Sequence, residues 1–170
     1  MAEPQEFRVL QHLKASLGAL TVAAGAFYDV DPSAVLLDPD YDVAALTAAG
    51  APRPFVIIET RDEEWIYHPS GEVRLTMPLS VHWVHEPADP TDAVIGVPRA
   101  LTGDERLCVF MRGCADVERA LTSDTSRGGN AVDTRITNRV WQPAPFQGGQ
   151  AVWAELSVEC IVYRSYGVPA

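Results

Sequence analysis

The chain has 170 residues, 47% apolar and 21% charged, enough for one domain with a properly buried core. Its formal net charge of -10 argues against a dedicated nucleic-acid binder, whose phosphate contacts need clustered Lys and Arg, and against docking on anionic membranes. No apolar run approaches the roughly 20 residues that span a bilayer.

The opening segment carries Glu3, Pro4 and Glu6 instead of the basic-then-apolar layout of a signal peptide, so assembly in a cytoplasm is expected. Phe7, Leu10, Leu13, Leu17, Leu20 and Ala24 form an apolar stripe at helical spacing over residues 5–24. Pro4 suits the first turn of that helix and Gly25 its stop. Mixed, sparse charges on the other face favour core or subunit packing over membrane binding. Residues 29–54 are dense in Pro and Asp, which predicts turns and short extended pieces. The run DVDPSAVLLDPDYD lacks the spacing and the terminal Glu of a calcium loop, so its carboxylates read as solvated turn residues.

A sheet is predicted next. The apolar run 55-FVIIET-60 and the following 63-EEWIYH-68 are placed to form a hairpin across Arg61-Asp62. The segment 72-EVRLTMPLSVHWV-84 alternates: Val73, Leu75, Met77, Leu79, Val81 and Trp83 share one phase, and the other phase is polar and expected to be wet. Pro78 cannot donate to a ladder, which predicts an edge position or a bulge. After a Pro-rich loop, Thr102 and Glu105 make a capping box for a second helix. Its apolar positions are Leu107, Phe110, Met111, Cys114, Val117 and Leu121, and Gly113 sits awkwardly inside it. A weaker strand near 132–141, the loop 142-QPAPFQGGQ-150 and the alternating strand 151-AVWAELSVECIVYR-164 complete the chain. The order predicts a single α+β domain, an antiparallel sheet with helices packed on one face.

Candidate chemistry is thin. The turn 124–130, with Gly128 and Gly129 beside Arg127, has no P-loop lysine and follows a helix, so a structural corner is preferred over a phosphate cradle. His82 and His85 point to opposite sides of a strand and no spacing demands a metal site, so neither metal nor cofactor is expected. Cys108, Cys114 and Cys160 form no C-x-x-C pair; they read as reduced, mostly buried thiols. Glu59, Glu63 and Glu64 could pair as acid and base or simply occupy an exposed hairpin end. Trp65, Tyr67, Trp83, Trp153 and Tyr163 lie on strands, where they either form a protein–protein surface or are covered by the helices of the same chain.

The layout resembles the tail terminator (tail completion) proteins of long-tailed bacteriophages. An amphipathic helix leads through APRPFVIIET into a sheet. A second helix ends in 117-VERALTSDTSRGGNAVDTRI-136, and a long strand closes on IVYRSYG. The family's "Leu, Asp, Gly-Gly" turn falls here on Leu121, Asp124, Gly128 and Gly129; the long loop 85–101 and Arg127, where leucine is common, depart from the pattern. The resemblance implies a non-enzymatic virion protein. Such a protein forms a hexameric ring that caps the tail tube, ends its polymerisation and joins tail to head, with DNA passing through the lumen. Partners would be further copies of the chain, the tube protein and a head–tail connector or neck protein. The hairpin 61–71, the turn 124–130 and the loop 143–149 are the expected contact elements, with Trp65, Tyr67, Arg127, Gly128, Gly129 and Phe146 as interface residues. A head–tail connector or minor tail protein is the near alternative. A small intracellular enzyme or ligand-binding domain using His68, His82 and Cys108 is the alternative from another class.

Overall fold

The computed structural model describes residues 3–37, 54–85, 102–143 and 152–165. In chain order these form α1 (Gln5–Gly18), β1 (Val35–Leu37), β2 (Phe55–Thr60), β3 (Glu64–Tyr67), β4 (Glu72–His85), α2 (Gly103–Thr122), β5 (Asp133–Pro143) and β6 (Val152–Ser165). The sheet runs β1-β2-β4-β6-β5, with β3 also on β4. Every pair is antiparallel except β1 with β2, so the sheet is mixed within the expected α+β class.

The alternation in β4 and β6 is realised as predicted on one face. Val73, Leu75, Met77, Leu79, Val81 and Trp83 are buried together with Val152, Ala154, Leu156, Val158, Cys160 and Val162. Val9, Leu13 and Leu17 of α1 and Cys114, Val117, Ala120 and Leu121 of α2 join the same core, so both helices cover this face. Burial of this continuous apolar layer is the main force holding the helices to the sheet. The other face of β4 is not simply wet: Thr76, Ser80 and His82 are buried, and Val84 joins Ala34, Phe55 and Ile57 in a second, smaller apolar cluster.

Three local expectations change. β2 and β3 do not pair with each other. Both lie antiparallel along the same side of β4, β2 opposite Leu79–Val84 and β3 opposite Val73–Thr76. The hairpin is instead β3–β4, closed by His68 N–H donating to Glu72 O at 2.9 Å, with Gly71 at φ +85. The interruption between β2 and β3 explains Pro78. That residue sits in a central strand, but its carbonyl accepts from Arg61 N–H at 3.0 Å on the side where β2 has ended. In an antiparallel ladder N–H and C=O of one residue point the same way, so the missing proline donor faces a break and costs the ladder nothing.

Helix α1 ends at Gly18, earlier than the stripe suggested. A Cβ on Gly18 would stand 3.1 Å from Pro32 Cα, so the returning chain packs against bare backbone here. Thr21 then caps a separate 3-10 turn, Val22–Ala24, and Gly25 ends that turn rather than the helix. Phe7 and Ala24 of the expected stripe are exposed. Pro4 is the N-cap residue of α1, one position outside the first turn.

Helix α2 has the predicted capping box: Glu105 N–H donates to Thr102 Oγ1 at 3.3 Å, and Thr102 N–H donates to the Glu105 carboxylate at 2.8 Å. It is unbroken at Gly113, where a Cβ would meet three carbons of the Trp83 indole at 2.6 Å. The glycine is therefore a seat for Trp83. Only the second half of the helix is core; Leu107 and Met111 are 47% and 61% exposed. Helix propensity alone says that Gly113→Ala stabilises by about 1 kcal/mol. The Trp83 contact reverses the sign: the variant should lose about 1–3 kcal/mol through overpacking, read from a urea melt and a shifted tryptophan emission.

Candidate functional site

The corner between α2 and β5 is the most built feature of the chain. Arg127, Gly128 and Gly129 follow one another at φ 52, 66 and 82, all positive. Positive φ is easy for glycine and costs an arginine strain of order 1 kcal/mol, so the surroundings must impose it. They do so through the arginine side chain, which is wholly buried. Its Nε donates to Thr134 Oγ1 at 3.0 Å and an Nη donates to the Leu121 carbonyl. That carbonyl lies in the last turn of α2, where helix C-termini are short of donors and carry partial negative charge. Thr134 Oγ1 passes its own proton to Thr125 O at 2.9 Å and lies 3.6 Å from Cys160 Sγ. Burial pulls the Arg127 pKa downward, but a guanidinium keeps its charge. Arg127 was expected as a surface anchor at a loop tip. This is corrected: the positive φ turns its side chain inward, and it serves the fold.

Asp124 holds the outside of the same corner. Its carboxylate accepts from Ser126 Oγ at 2.6 Å, Ser126 N–H at 2.9 Å and Gly128 N–H at 2.7 Å. His12 Nε2 of α1 lies 3.4 Å away, and Gln5 Nε2 donates to Asn130 O at 2.8 Å, so α1 braces the turn. The amides that could have cradled a phosphate are taken by the chain's own anion. Gly128 also makes room for His12, whose Cδ2 would be 3.1 Å from an added Cβ; nothing lies within reach of Gly129.

On the face away from the helices, β2, β4 and β6 assemble polar groups that no sequence spacing announced. Trp153 Nε1 donates to His82 Nδ1 at 3.1 Å. An indole nitrogen only donates, so the His82 proton sits on Nε2, 3.2 Å from Glu59 Oε2 though off the line of a hydrogen bond. Beside it, Arg61 donates twice to Ser80 Oγ, and Ser80 donates to Glu155 Oε1 at 3.1 Å. Ser80 and His82 are thus bound to different partners, and His82 spends its acceptor nitrogen on Trp153. A serine nucleophile needs that nitrogen as its base.

The grouping of His68, His82 and Cys108 is not assembled. His82 lies on the face opposite α2, Cys108 is exposed on α2, and His68 belongs to the β3–β4 turn. Cys108 instead lines an apolar groove of about 400 Å³ with Phe27, Leu107, Met111 and Arg112. Burial pushes the Cys114 thiol up to about 11 and raises that of Cys160, so neither is an activated nucleophile. Among the described residues no three His, Cys, Asp or Glu side chains gather as a metal site. Glu63 and Glu64 are exposed at the start of β3, while Glu59 faces His82.

The strand aromatics divide. Trp83 lies under α2 and Trp153 is tied to His82, whereas Trp65, Tyr67 and Tyr163 are 42%, 61% and 43% exposed. One face of Trp65 is covered by the Arg164 guanidinium, 5.5 Å from the ring centroid and itself paired with Glu6 of α1. Phe146 and most of the loop 143–149 lie outside the described residues. Sequence reasoning missed Asp116, a buried carboxylate on α2 that accepts from Phe27 N–H at 2.9 Å and Tyr28 N–H at 3.0 Å. A charged residue between the apolar positions Cys114 and Val117 was its signal.

No family model and no curated protein matches the chain. No helix among the described residues is long and apolar enough to cross a membrane.

The hydroxyl of Ser126, then the Gly128 amide, hold the Asp124 carboxyl down to about 2, below the usual 3.9 or so. A folded-state pKa below the unfolded one means stability present above about pH 4 and lost as pH falls through 4 towards 2. Asp124→Asn should remove this part of the acid dependence. Wild-type and variant melting temperatures should therefore be furthest apart above pH 5 and converge near pH 2.

Proposed function

We propose that the chain is a structural virion protein that forms a ring on the end of a bacteriophage tail tube, ending tube growth and joining tail to head. The observation that carries this is the strand β3, which has β4 on one side, no described strand on the other, and the exposed rings of Trp65 and Tyr67. Rigid aromatics on an open edge supply contact area at small entropic cost and suit a protein–protein surface. The helix-to-corner-to-strand segment 117–136, which carries the resemblance to tail terminators, is consistent with the same reading. Its glycine turn is occupied by Asp124 and built around a buried arginine, as a structural part would be. The ring would be a hexamer, with the tube protein on one side and a connector or neck protein on the other. It would be assembled in the host cytoplasm, with DNA passing through the lumen without sequence-specific contact. A connector or minor tail protein remains the near alternative.

A ligand-binding reading has one observation in its favour, the apolar groove at Phe27, Leu107 and Met111, whose size suits a small ligand. Titration with an apolar fluorophore distinguishes the two. Saturable one-site binding that leaves the particle mass unchanged favours the groove.

The direct test grows tubes from the cognate tube protein with and without the purified chain, imaged by negative-stain electron microscopy. Rings on tube ends and shorter tubes are expected. Tyr67→Ala should weaken capping about tenfold or more, a loss ordinary for an interface aromatic, with circular dichroism showing that the variant is folded. Tubes of unaltered length and bare ends would overturn the proposal.

A further inference from the structure

The first half of α2 leaves an apolar face in solvent. Asp104, Cys108 and Met111 follow at helical spacing and line, with Leu107 and Arg112, the groove beside Phe27. That spacing sets them on the side of the helix opposite the buried Gly113, Val117 and Ala120. Phe27, Leu107 and Met111 are all exposed. Between Asp104 and Arg112 the helix rises about 12 Å, and Cys108 stands midway. We propose that this face is a two-fold contact between copies of the chain, α2 lying antiparallel on α2 with the axis beside Cys108. The contact uses neither β3 nor β5 and does not rest on the ring reading.

Charge placement selects a second copy as the occupant. A two-fold axis beside Cys108 brings Asp104 of one copy level with the partner's Arg112, and the relation is reciprocal, so the pair forms twice. Between the two pairs, Leu107 and Met111 of both copies leave water together. Both charges are available for this. Asp104 and Arg112 are exposed, and among the described residues neither stands in an ion pair within its own chain. Arg112 rests over the Phe27 ring, 5.4 Å from its centroid, and is hydrogen-bonded to Tyr28. Burial raises the Tyr28 pKa, so its hydroxyl stays neutral. These two contacts therefore hold the guanidinium without cancelling its charge. An apolar small molecule in the groove would leave both charges unused. An anionic surface or a nucleic acid would meet Asp104 and the net charge of -10. A parallel pair of helices would set each charge against its own copy, which is repulsive.

The test uses the full chain, its mass in solution by light scattering, and thiol crosslinking. Cys108 is exposed while Cys114 and Cys160 are buried, so a short bismaleimide joins folded copies through Cys108. Wild type should give a covalent dimer in high yield. Met111→Glu, at a position already exposed, should abolish the crosslink and halve the mass. The halving runs from dimer to monomer, or from two stacked rings to one where the proposed ring has formed. Asp104→Arg and Arg112→Asp should each weaken the contact about tenfold or more by setting like charges together. The double variant, which exchanges the two charges, should restore it. Circular dichroism checks that each variant is folded; should Arg112→Asp not fold, Arg112→Gln takes its place and should weaken the contact severalfold. A wild type that gives no crosslink, a mass that Met111→Glu leaves unchanged, or a double variant as weak as the single ones overturns the contact. Saturable binding of an apolar fluorophore to a monomeric wild type also overturns it and assigns the groove to a small ligand. Absence of the crosslink leaves the ring on the tube end standing, whereas crosslinked copies that never cap tubes keep the two-fold contact and sink the terminator reading.

Discussion

The buried guanidinium of Arg127 is the constraint on which the second half of the fold turns. It joins the Leu121 carbonyl in the last turn of α2 to the second residue of β5, and it does so from a backbone conformation that an arginine adopts only under compulsion. A charge so deeply buried is tolerable because the helix terminus supplies a negative partial charge and Thr134 an oxygen. With the arginine inside, Asp124 is left to organise the outer amides, and the strand leaves the corner in one direction. The direction of β5, and with it the whole far edge of the sheet, follows from a side chain that never reaches solvent.

The first half depends on a different contact with the same logic. Trp83 ends the apolar phase of β4 and needs flat backbone above it, which Gly113 provides at the middle of α2. Large ring and absent side chain fix the height and register of the helix over the sheet, because interiors tolerate neither a void nor an extra methyl group. Asp116, one turn on, then pins the backbone at Phe27 and Tyr28 beneath the helix. A single helix face therefore carries a packing device and a polar anchor. Its other half, with Leu107 and Met111, carries neither and stays exposed.

Periodicity made the sheet core legible because burial is a matter of phase: every residue assigned to the inner face of β4 and β6 is buried. The capping box at Thr102 was equally plain, since its signal is local. Pairing is not local. The β2–β3 hairpin looked sound from spacing, yet both strands lie on β4, because β4 is long enough to accept two partners end to end. Pro78 points by residue type to an edge position or a bulge, and it instead marks a gap in a neighbour. The candidate site was legible only in part. The turn at 124–130 was rightly read as a corner, but the direction of Arg127 depends on the sign of one φ angle, which the residue type argues against. Trp65 and Tyr67 are exposed and Trp83 and Trp153 engaged, a division that depends on which face each helix covers and that alternation cannot express. The Glu59, His82 and Trp153 cluster comes from three strands far apart in sequence, so only register brings it together.

The outer strands β3 and β5 are both held firmly within the chain. Pairing strands across a subunit boundary gains little if the edge must first be ordered, because the entropy of ordering is taken from the binding free energy. Here β5 is held at its start by a buried arginine and along its length by β6, and β3 is held by the β4 hairpin. A net charge of -10 makes like copies repel at long range, which opposes indiscriminate sticking. Arg135 and Arg139, on opposite faces of β5, are each paired with a glutamate of the same chain, and such exposed pairs act only within about a Debye length of some 8–10 Å. Long-range repulsion of this kind leaves room only for contacts whose local complementarity outweighs it.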